Sequence, residues 1–295
     1  MPLPHADNLI RLIVLTTLAL IAFAANTVLC RWALAEPSID AASFTGVRLA
    51  SGALTLYLII MLNRTGRRSG ARGSWRGSLM LFGYAITFSY AYLILDTGTG
   101  ALILFGSVQI SIILVTLWQG TRLHAMEWLG LALAFGGFVY LVLPGVSTPS
   151  LTGFILMALA GISWALYTLN GRGSSAPLLD TTYNFIRTLP FVAVVLLFAY
   201  QGVHVSTQGF VLAVFSGALA SGVGYTIWYM VLRDISNTMA AVLQLLVPII
   251  AALGGVVFVG EPITLRLSLA GLLILGGFLL VILGRYYYAR RVVRQ

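Results

Sequence analysis

Ten apolar stretches, each about 20 residues long, follow one another along the chain and limit its fold more than any other feature. A helix of about 20 apolar residues is long enough to cross the hydrocarbon core of a bilayer. Short segments rich in glycine, proline and polar residues separate the stretches, as is typical of turns. We predict membrane-spanning helices, numbered spans 1 to 10, at 11–31, 39–62, 76–95, 98–119, 124–143, 151–170, 179–200, 209–231, 236–259 and 265–286.

The composition supports a lipid environment. Only 8% of the residues are charged and 59% are apolar, whereas a soluble domain carries about 25% charged residues. The formal net charge of +9 comes from arginines that lie mostly between the apolar stretches, which is typical of membrane proteins and does not indicate nucleic-acid binding. The single cysteine, Cys30, excludes an internal disulfide and a cysteine-based metal cluster.

Three motifs recur at a spacing of 140 residues. They are Pro37 with Pro177, Asp40 with Asp180, and Gly136-Gly137-Phe138 with Gly276-Gly277-Phe278. A repeat of this length contains five spans, and because five is odd, the second copy enters the membrane from the opposite face. We therefore predict an all-α membrane protein whose ten transmembrane helices form two inverted five-helix repeats, 1–145 and 146–295, within one membrane domain. Inverted repeats are typical of alternating-access transporters.

The arginines predict the orientation. If the N-terminus is cytoplasmic, thirteen of the 17 arginines lie at the inner side, while only Arg31 and Arg266 lie at the outer side. Because positive residues accumulate on the cytoplasmic side, both termini are expected in the cytoplasm, in a bacterial inner membrane. The stretch after Arg11 also resembles a signal peptide, but its apolar run continues to Cys30 and has a counterpart in the second half.

Arg48 and Arg187 lie inside spans 2 and 7. A charged side chain at this depth is costly unless it is paired or faces water. Either arginine is a candidate to bind a substrate carboxylate, and the alternative is that each anchors backbone carbonyls or a neighbouring helix end. We favour the structural role, because both halves keep the arginine whereas a binding site need not be symmetric.

Aromatic and polar residues near the middle of other spans are the candidate substrate-binding residues. In span 8, Ser221, Tyr225 and Trp228 share one helix face by their i, i+4, i+7 spacing. Aromatic walls with a few hydroxyl and amide groups suit a mostly apolar molecule with polar ends, although each residue could equally serve helix packing. The candidates are Tyr84, Thr87, Phe88, Ser107, Gln109, Ser111, Ser163, Trp164, Tyr167, Ser221, Tyr225, Trp228 and Gln244.

Two prolines lie inside predicted spans, Pro190 in span 7 and Pro248 in span 9. A proline inside a helix frees a carbonyl and permits a kink. We expect both spans to be kinked there, as suits helices that bend during transport.

The middle of each span lacks acidic residues, and the chain lacks common enzyme motifs. All eight acidic residues fall at span ends or in loops, whereas a proton-coupled carrier usually keeps a carboxylate within the membrane. This pattern favours uncoupled movement down a gradient. The common hydrolase, metalloprotease and nucleotide-binding motifs are missing as well, so we expect neither an enzyme nor a cofactor or metal.

The segment "LVPIIAALGGVVFVGEPIT" at 246–264, followed by "LAGLLILGGF" at 269–278, resembles the EamA-type branch of the drug/metabolite transporter superfamily. "SFTGVRLASG" in span 2 and "TYNFIRTLPF" in span 7 fit the same pattern. The first half departs from it, with "GTR" at 120–122 where the second half has "GEP" at 260–262. The resemblance implies a ten-helix transporter, and the aromatic amino-acid exporters of this family are the most similar.

The resemblance implies a substrate, while the residues alone indicate only a small amphipathic molecule. We expect export of aromatic or bulky apolar amino acids by an uncoupled uniporter, with the bilayer as the other partner and no sequence signal for an oligomer. A drug, purine or other metabolite exporter on the same scaffold, proton-coupled or not, is the first alternative. A nucleotide-sugar carrier is disfavoured because it needs several basic cavity residues for phosphate. An intramembrane enzyme or a scaffold subunit is the alternative from another class.

The predicted topology can be tested with reporter fusions. A reporter that is active only in the cytoplasm should be active at both termini, because ten crossings return the chain to its starting side. The same reporter placed between spans 5 and 6 should be inactive, since five crossings separate it from the N-terminus. Termini on opposite sides of the membrane would contradict the division into two groups of five.

Overall fold

The computed structural model describes residues 6–36, 38–62, 72–120, 123–143, 148–171, 174–235 and 237–292. Within these residues every long element is a helix, and the only β pairing is an isolated bridge between Ile39 and Val205, which confirms the all-α prediction. Seven helices precede the first irregular one: α1 Ala6–Ala35, α2 Ala41–Leu62, α3 Trp75–Tyr92, α4 Thr97–Trp118, α5 Ala125–Val142, α6 Leu151–Asn170 and α7 Pro177–Ala199. The last three are α8 Thr207–Val231, α9 at 237–259 and α10 Leu265–Val292.

Two of the ten helices contain irregular segments. In α8 a π-helical segment, Ser216–Val223, separates two α-helical parts. In α9 the helix is interrupted at Leu245–Leu246, and Pro248 is the second residue of the helical part that follows. This helix ends in a second π-helical segment, Gly255–Val259. By contrast, α7 runs through Pro190 as one continuous helix. Irregular helix geometry is frequent at functional sites, which directs attention to the surroundings of α8 and α9.

Nine of the described helices are both long enough and apolar enough to cross a membrane. The exception is α3, which has 18 residues but carries polar and aromatic side chains along its length. Its residues Ser78, Tyr84 and Ser89 are buried against neighbouring helices, so protein rather than lipid surrounds its polar groups. This exchange of lipid for protein contact is what allows a more polar span.

Successive helices run in opposite directions between two ends of the bundle. We call the end at which α1 begins the near end, and the end at which α1 finishes the far end. Contacts between loops fit this alternation: Ser206 donates its amide to the Ser38 carbonyl at the far end, and Gly73 donates its amide to the Asp180 carboxylate at the near end. Since α1 and α6 start at opposite ends, the first five helices and the last five run in opposite senses.

Helix packing follows a pattern that repeats every five helices. The contact of α3 with α6 is equivalent to that of α8 with α1. In the same way, the contact of α4 with α6 is equivalent to that of α9 with α1. The pairs α2 with α7, α4 with α9, and α5 with α10 join equivalent helices of the two groups. This is the packing that two inverted repeats would produce, although the repeat boundary itself remains a prediction.

Asp40 and Asp180 hold equivalent loops at opposite ends. The Asp40 carboxylate accepts from the amides of Ser43, at 2.9 Å, and His204, at 3.0 Å. The Asp180 carboxylate accepts from the amide of Gly73 at 2.7 Å. Each aspartate thus begins the second helix of its group and fastens the loop that precedes the third helix of the other group. Burial by itself would raise the pKa of Asp40. The hydrogen bonds to its carboxylate outweigh burial, so the net effect is a lowered pKa.

The repeated Gly-Gly-Phe motif brings α5 and α10 into close contact. A side chain at Gly277 would meet the carbonyl of Gly130, and one at Gly137 would meet Ile274. The first glycine of each motif, Gly136 or Gly276, faces open space. Small residues at such crossings let helix backbones approach in a membrane, where van der Waals packing drives association.

These neighbouring glycines offer a matched stability test. Gly277→Val should lower the free energy of unfolding by about 1–3 kcal/mol, because the added side chain overpacks the crossing with α5. Gly276→Val, the same change one residue earlier, should have little effect because its side chain points into open space. Thermal unfolding of both variants in detergent measures the difference, and equal destabilisation would contradict the crossing described.

Candidate functional site

Arg48 lies at the centre of the bundle and is only 2% exposed. Its Nη2 donates to the hydroxyl of Tyr84 at 3.1 Å, and its guanidinium lies 5.2 Å from the ring centre of Tyr84 and 5.0 Å from that of Phe88. Its Nε and Nη1 have no hydrogen-bond partner. A buried guanidinium with two unpartnered nitrogens costs several kcal/mol, so this position calls for an explanation.

Aromatic rings from three helices are in contact with one another next to this arginine, beginning at Tyr84. Tyr84 of α3 lies 4.8 Å from Trp164 of α6, and Trp164 lies 5.5 Å from Tyr225 of α8, measured between ring centres. Tyr84 also lies 5.3 Å from Phe88, one turn further along α3. We call Arg48, Tyr84, Phe88, Trp164 and Tyr225 the central cluster. Its side chains are packed against each other, so a molecule can enter only when the helices move apart.

A short chain of hydrogen bonds extends from Arg48 towards α1 and α8. The Tyr84 hydroxyl accepts from Arg48 and also from Asn26 Nδ2, at 3.3 Å. Asn26 Oδ1 in turn accepts from Ser216 Oγ at 2.7 Å. Ser216 begins the π-helical segment of α8, and its neighbour Gly217 lies against the backbone carbonyl of Arg48, where no larger residue would fit. Helices α1, α2, α3 and α8 are therefore joined at this level.

The structure separates the sequence-predicted site residues into two groups. Tyr84, Phe88, Trp164 and Tyr225 belong to the central cluster, and Tyr167 lies 5.5 Å from Trp164 between ring centres. Several others satisfy themselves locally, because Thr87, Ser111 and Ser221 each donate to a carbonyl of their own helix. Two serines lie at helix contacts, where Ser107 packs against Gly161 and Ser163 faces Gly83. Trp228 lies with Ala19 and Val247 in a second apolar cluster. Gln109 and Gln244 are half-buried.

Arg187 occupies a different environment from Arg48. It is half-buried near the near end, where Nη1 donates to the backbone carbonyl of Arg72 and the guanidinium lies 5.7 Å from the ring of Trp75. This is the anchoring role that the sequence allowed for both arginines. Arg48, by contrast, donates to no backbone carbonyl.

Three residues near the central cluster were not among the predicted site residues. Phe23 of α1 and Phe185 of α7 lie 5.8 and 6.1 Å from Tyr225 between ring centres, and Asn26 bonds to Tyr84. Asn26 is the only asparagine in span 1, which was the available sequence signal. Nothing distinguished the two phenylalanines from the many apolar residues around them.

A charged latch closes the far end above the cluster. Arg31 Nε donates to the Glu261 carboxylate at 2.8 Å, and its Nη1 donates to the Tyr92 carbonyl at 2.9 Å. The same carboxylate accepts the amide of Thr97 at 2.7 Å, so α1, α3, α4 and the loop after α9 are joined. Asp96 lies 3.6 Å from Arg31. Burial and the neighbouring Glu261 charge raise the pKa of Asp96, and Arg31 offsets this rise only in part.

The near end is held together by a different set of contacts, which includes the Gly73–Asp180 hydrogen bond and the Glu127–Arg285 ion pair. Its link between helices α6, α7 and α8 is made of hydroxyls: Thr181 Oγ1 lies 2.8 Å from Tyr229 and 3.3 Å from Tyr167. Within the first five helices α1 packs against α3 and α4, whereas the equivalent pairs, α6 with α8 and α6 with α9, show no comparable backbone approach among the described residues. Helix α6 is therefore less closely enclosed by α8 and α9 than α1 is by α3 and α4.

Within the ranges that the structure describes, no three histidine, cysteine or acidic side chains are grouped so that they could hold a metal ion. Glu127, at the start of α5, is buried but paired with Arg285 at 2.9 Å.

The second half of the chain matches the model of a known protein family. The model of the EamA-like transporter family matches residues 151–283, which extend from α6 into α10. A solved crystal structure covers 90% of this chain and 97% of its own, with a TM-score of 0.64 and 19% sequence identity, and so shows a shared fold.

Two protein relatives cover most of the chain. An uncharacterized protein of Pseudomonas aeruginosa is 48% identical over 95% of this chain and 98% of its own length. A protein of Escherichia coli named as a probable amino-acid metabolite efflux pump is 24% identical over 70% of this chain and 77% of its own.

The far-end latch can be tested through the single cysteine. Cys30 is fully buried next to Arg31, so a membrane-impermeant maleimide should label it slowly. Glu261→Gln removes the charge that holds Arg31 and should raise the labelling rate about tenfold, because loss of a charge-assisted contact favours opening. Glu127→Gln, which breaks the ion pair between α5 and α10, is the control and should leave the rate unchanged. Equal rates in both variants would contradict the latch.

Proposed function

This chain belongs to the EamA-like transporter family, and we propose that it carries aromatic or bulky apolar amino acids out of a bacterial cell. Membership makes it a multi-pass membrane transporter of small metabolites rather than an enzyme. The observation that carries the narrower proposal is the central cluster, where aromatic rings from α3, α6 and α8 meet beside one buried positive charge. The efflux pump relative supports an amino-acid metabolite as the kind of substrate.

The cluster suits an amphipathic molecule with an aromatic side chain. Ring faces offer large apolar surfaces and favour stacked or edge-to-face contact with another ring. The same faces can accept an ammonium group by a cation–π interaction. Trp164 is half-buried and touches both Tyr84 and Tyr225, so it is well placed to contact a ring that separates α6 from α3 and α8.

We propose that transport proceeds by alternating access. The Arg31–Glu261 latch closes the far end and α1 packs against α3 and α4, whereas α6 makes no comparable approach to α8 and α9 among the described residues. With the near end in the cytoplasm, this form corresponds to a carrier that is ready to admit substrate from inside. Exchange of the two arrangements between the five-helix groups would then close the near end and open the far end.

The positions of the carboxylates favour an uncoupled uniporter. Glu127, Asp180 and Glu261 lie at helix ends, and each is held by an ion pair or backbone amides. No carboxylate of the described residues contacts the central cluster, so no acidic side chain there is placed to exchange a proton for a substrate. A drug or purine exporter on this scaffold is the competing proposal, and it predicts transport without preference for amino acids.

Purified protein in liposomes tests the proposal. Labelled tryptophan and phenylalanine should enter the vesicles down their gradients, at rates that a pH gradient leaves unchanged. Strict dependence on a pH gradient would contradict uniport, and transport of purines but not of amino acids would favour the competing proposal.

A tryptophan pair supplies the variant test. Trp164→Ala should raise the tryptophan concentration for half-maximal transport about tenfold, because it removes the ring that joins Tyr84 to Tyr225. Trp118→Ala is the matched control, since Trp118 is 92% exposed at the end of α4. If the two variants transport alike, the central cluster is not the substrate site.

A further inference from the structure

Arg48 carries a permanent charge whose hydrogen-bonding capacity is largely unused. A guanidinium has five N–H donors and remains protonated in proteins. One donor of Nη2 reaches Tyr84, while Nε and Nη1 have no partner although the side chain is 2% exposed. Tyr84 accepts from both Arg48 and Asn26, so its acceptor positions are taken and its own proton is left to donate.

No negative charge of the protein balances Arg48 within the described residues. The ion pairs there are Arg31 with Asp96 and with Glu261, and Arg285 with Glu127. Glu261 is committed to Arg31 and to the Thr97 amide at the far end. The rings of Tyr84 and Phe88 offset the charge only in part, because a cation–π contact is weaker than a buried ion pair.

The other arginines of the bundle show what a structural role looks like in this protein. Arg187 donates to the carbonyl of Arg72, and Arg266 donates to the carbonyls of Leu141 and Leu143 and to Thr148. Both lie near an end of the bundle, where backbone carbonyls are free. Arg48 has neither carbonyls nor carboxylates, although it is the most deeply buried of the three.

We propose that Arg48 is the binding site for the carboxylate of the substrate, which rests on the transport function proposed above. One carboxylate oxygen accepts from Nε or Nη1, and the second accepts from the remaining hydrogen of Nη2, as in bidentate arginine–carboxylate pairs. The Tyr84 hydroxyl proton is a further donor for the same group. The apolar part of the substrate then lies against Trp164 and Tyr225.

This site selects substrates by charge. A carboxylate neutralises Arg48, whereas an amine without a carboxylate brings a second positive charge into the same apolar space. Molecules that keep the aromatic ring and the carboxylate should therefore bind, and molecules that keep the ring and only the ammonium should not. Loss of a charged hydrogen-bond partner is expected to weaken binding by about 10- to 100-fold.

Competition on the wild-type protein tests the site without any substitution. Indole-3-propionate has the ring and carboxylate of tryptophan without the ammonium, and tryptamine has the ring and ammonium without the carboxylate. Against labelled tryptophan in proteoliposomes, indole-3-propionate should inhibit about as well as tryptophan, and tryptamine should require at least about tenfold more. Equal inhibition by the two analogues would overturn the proposal.

Variants then assign the selectivity to Arg48. Arg48→Gln should remove the difference between the two analogues, whereas Arg187→Gln should keep it because Arg187 binds a backbone carbonyl. An Arg48→Gln protein that folds and still prefers indole-3-propionate would overturn the assignment. If that variant does not fold, Tyr84→Phe, which removes one donor and keeps the ring, should reduce the preference; an unchanged preference would again overturn it.

Thermal stabilisation of the purified protein by the same analogues separates this site from the proposed function. Stabilisation by indole-3-propionate but not by tryptamine supports the site even if no labelled solute crosses the membrane, a result that would refute only the transport of amino acids. Transport of tryptophan together with equal stabilisation by both analogues would refute the site and leave the transport function standing.

Discussion

The hydrocarbon interior offers no water to hydrogen-bond, and the whole structure depends on this constraint. Each backbone amide and carbonyl must therefore be satisfied inside the protein, which leaves helices as the spanning element. The charged side chains follow the same rule, because the described ion pairs and aspartate caps lie at the two ends of the bundle. Arg48 is the exception, and its isolation makes it chemically conspicuous.

Placing the polar contacts at the ends also determines how such a bundle can open. Apart from a few hydrogen bonds such as those of Tyr84 with Arg48 and Asn26, the helices meet in the middle through apolar and aromatic side chains. These can slide or separate without breaking an ion pair. The contacts that resist opening include the latch of Arg31 and Glu261 at the far end. At the near end they include the Glu127–Arg285 ion pair, the Gly73–Asp180 hydrogen bond and the hydroxyls around Thr181. Opening one end at a time therefore requires breaking only a few polar contacts, as alternating access demands.

The candidate site could be predicted from the sequence only in part. Tyr84, Trp164 and Tyr225 were identified because aromatic residues at mid-span are conspicuous, and the structure brings them together. Thr87 and Ser111 looked equally suitable, but hydroxyls in a helix can bond their own preceding turn, which spacing does not reveal. Arg48 and Arg187 have the same residue type and position in their spans, yet one lies in the aromatic cluster and the other holds a loop carbonyl.

What the sequence determined by itself was the number of helices, their approximate bounds and the spacing of the repeated motifs. Transfer into lipid is decided segment by segment, so the hydrophobicity of each segment can be read without knowing its neighbours. The tertiary structure alone decided which face of each helix meets another helix. In most helices of this chain the faces towards lipid and towards protein are both largely apolar, so polarity distinguishes them only where polar side chains are buried, as in α3. Packing therefore distinguishes Gly277, which lies against α5, from Gly276, which faces open space. Packing also brings the backbone of α2 at Arg48 against Gly217 of α8.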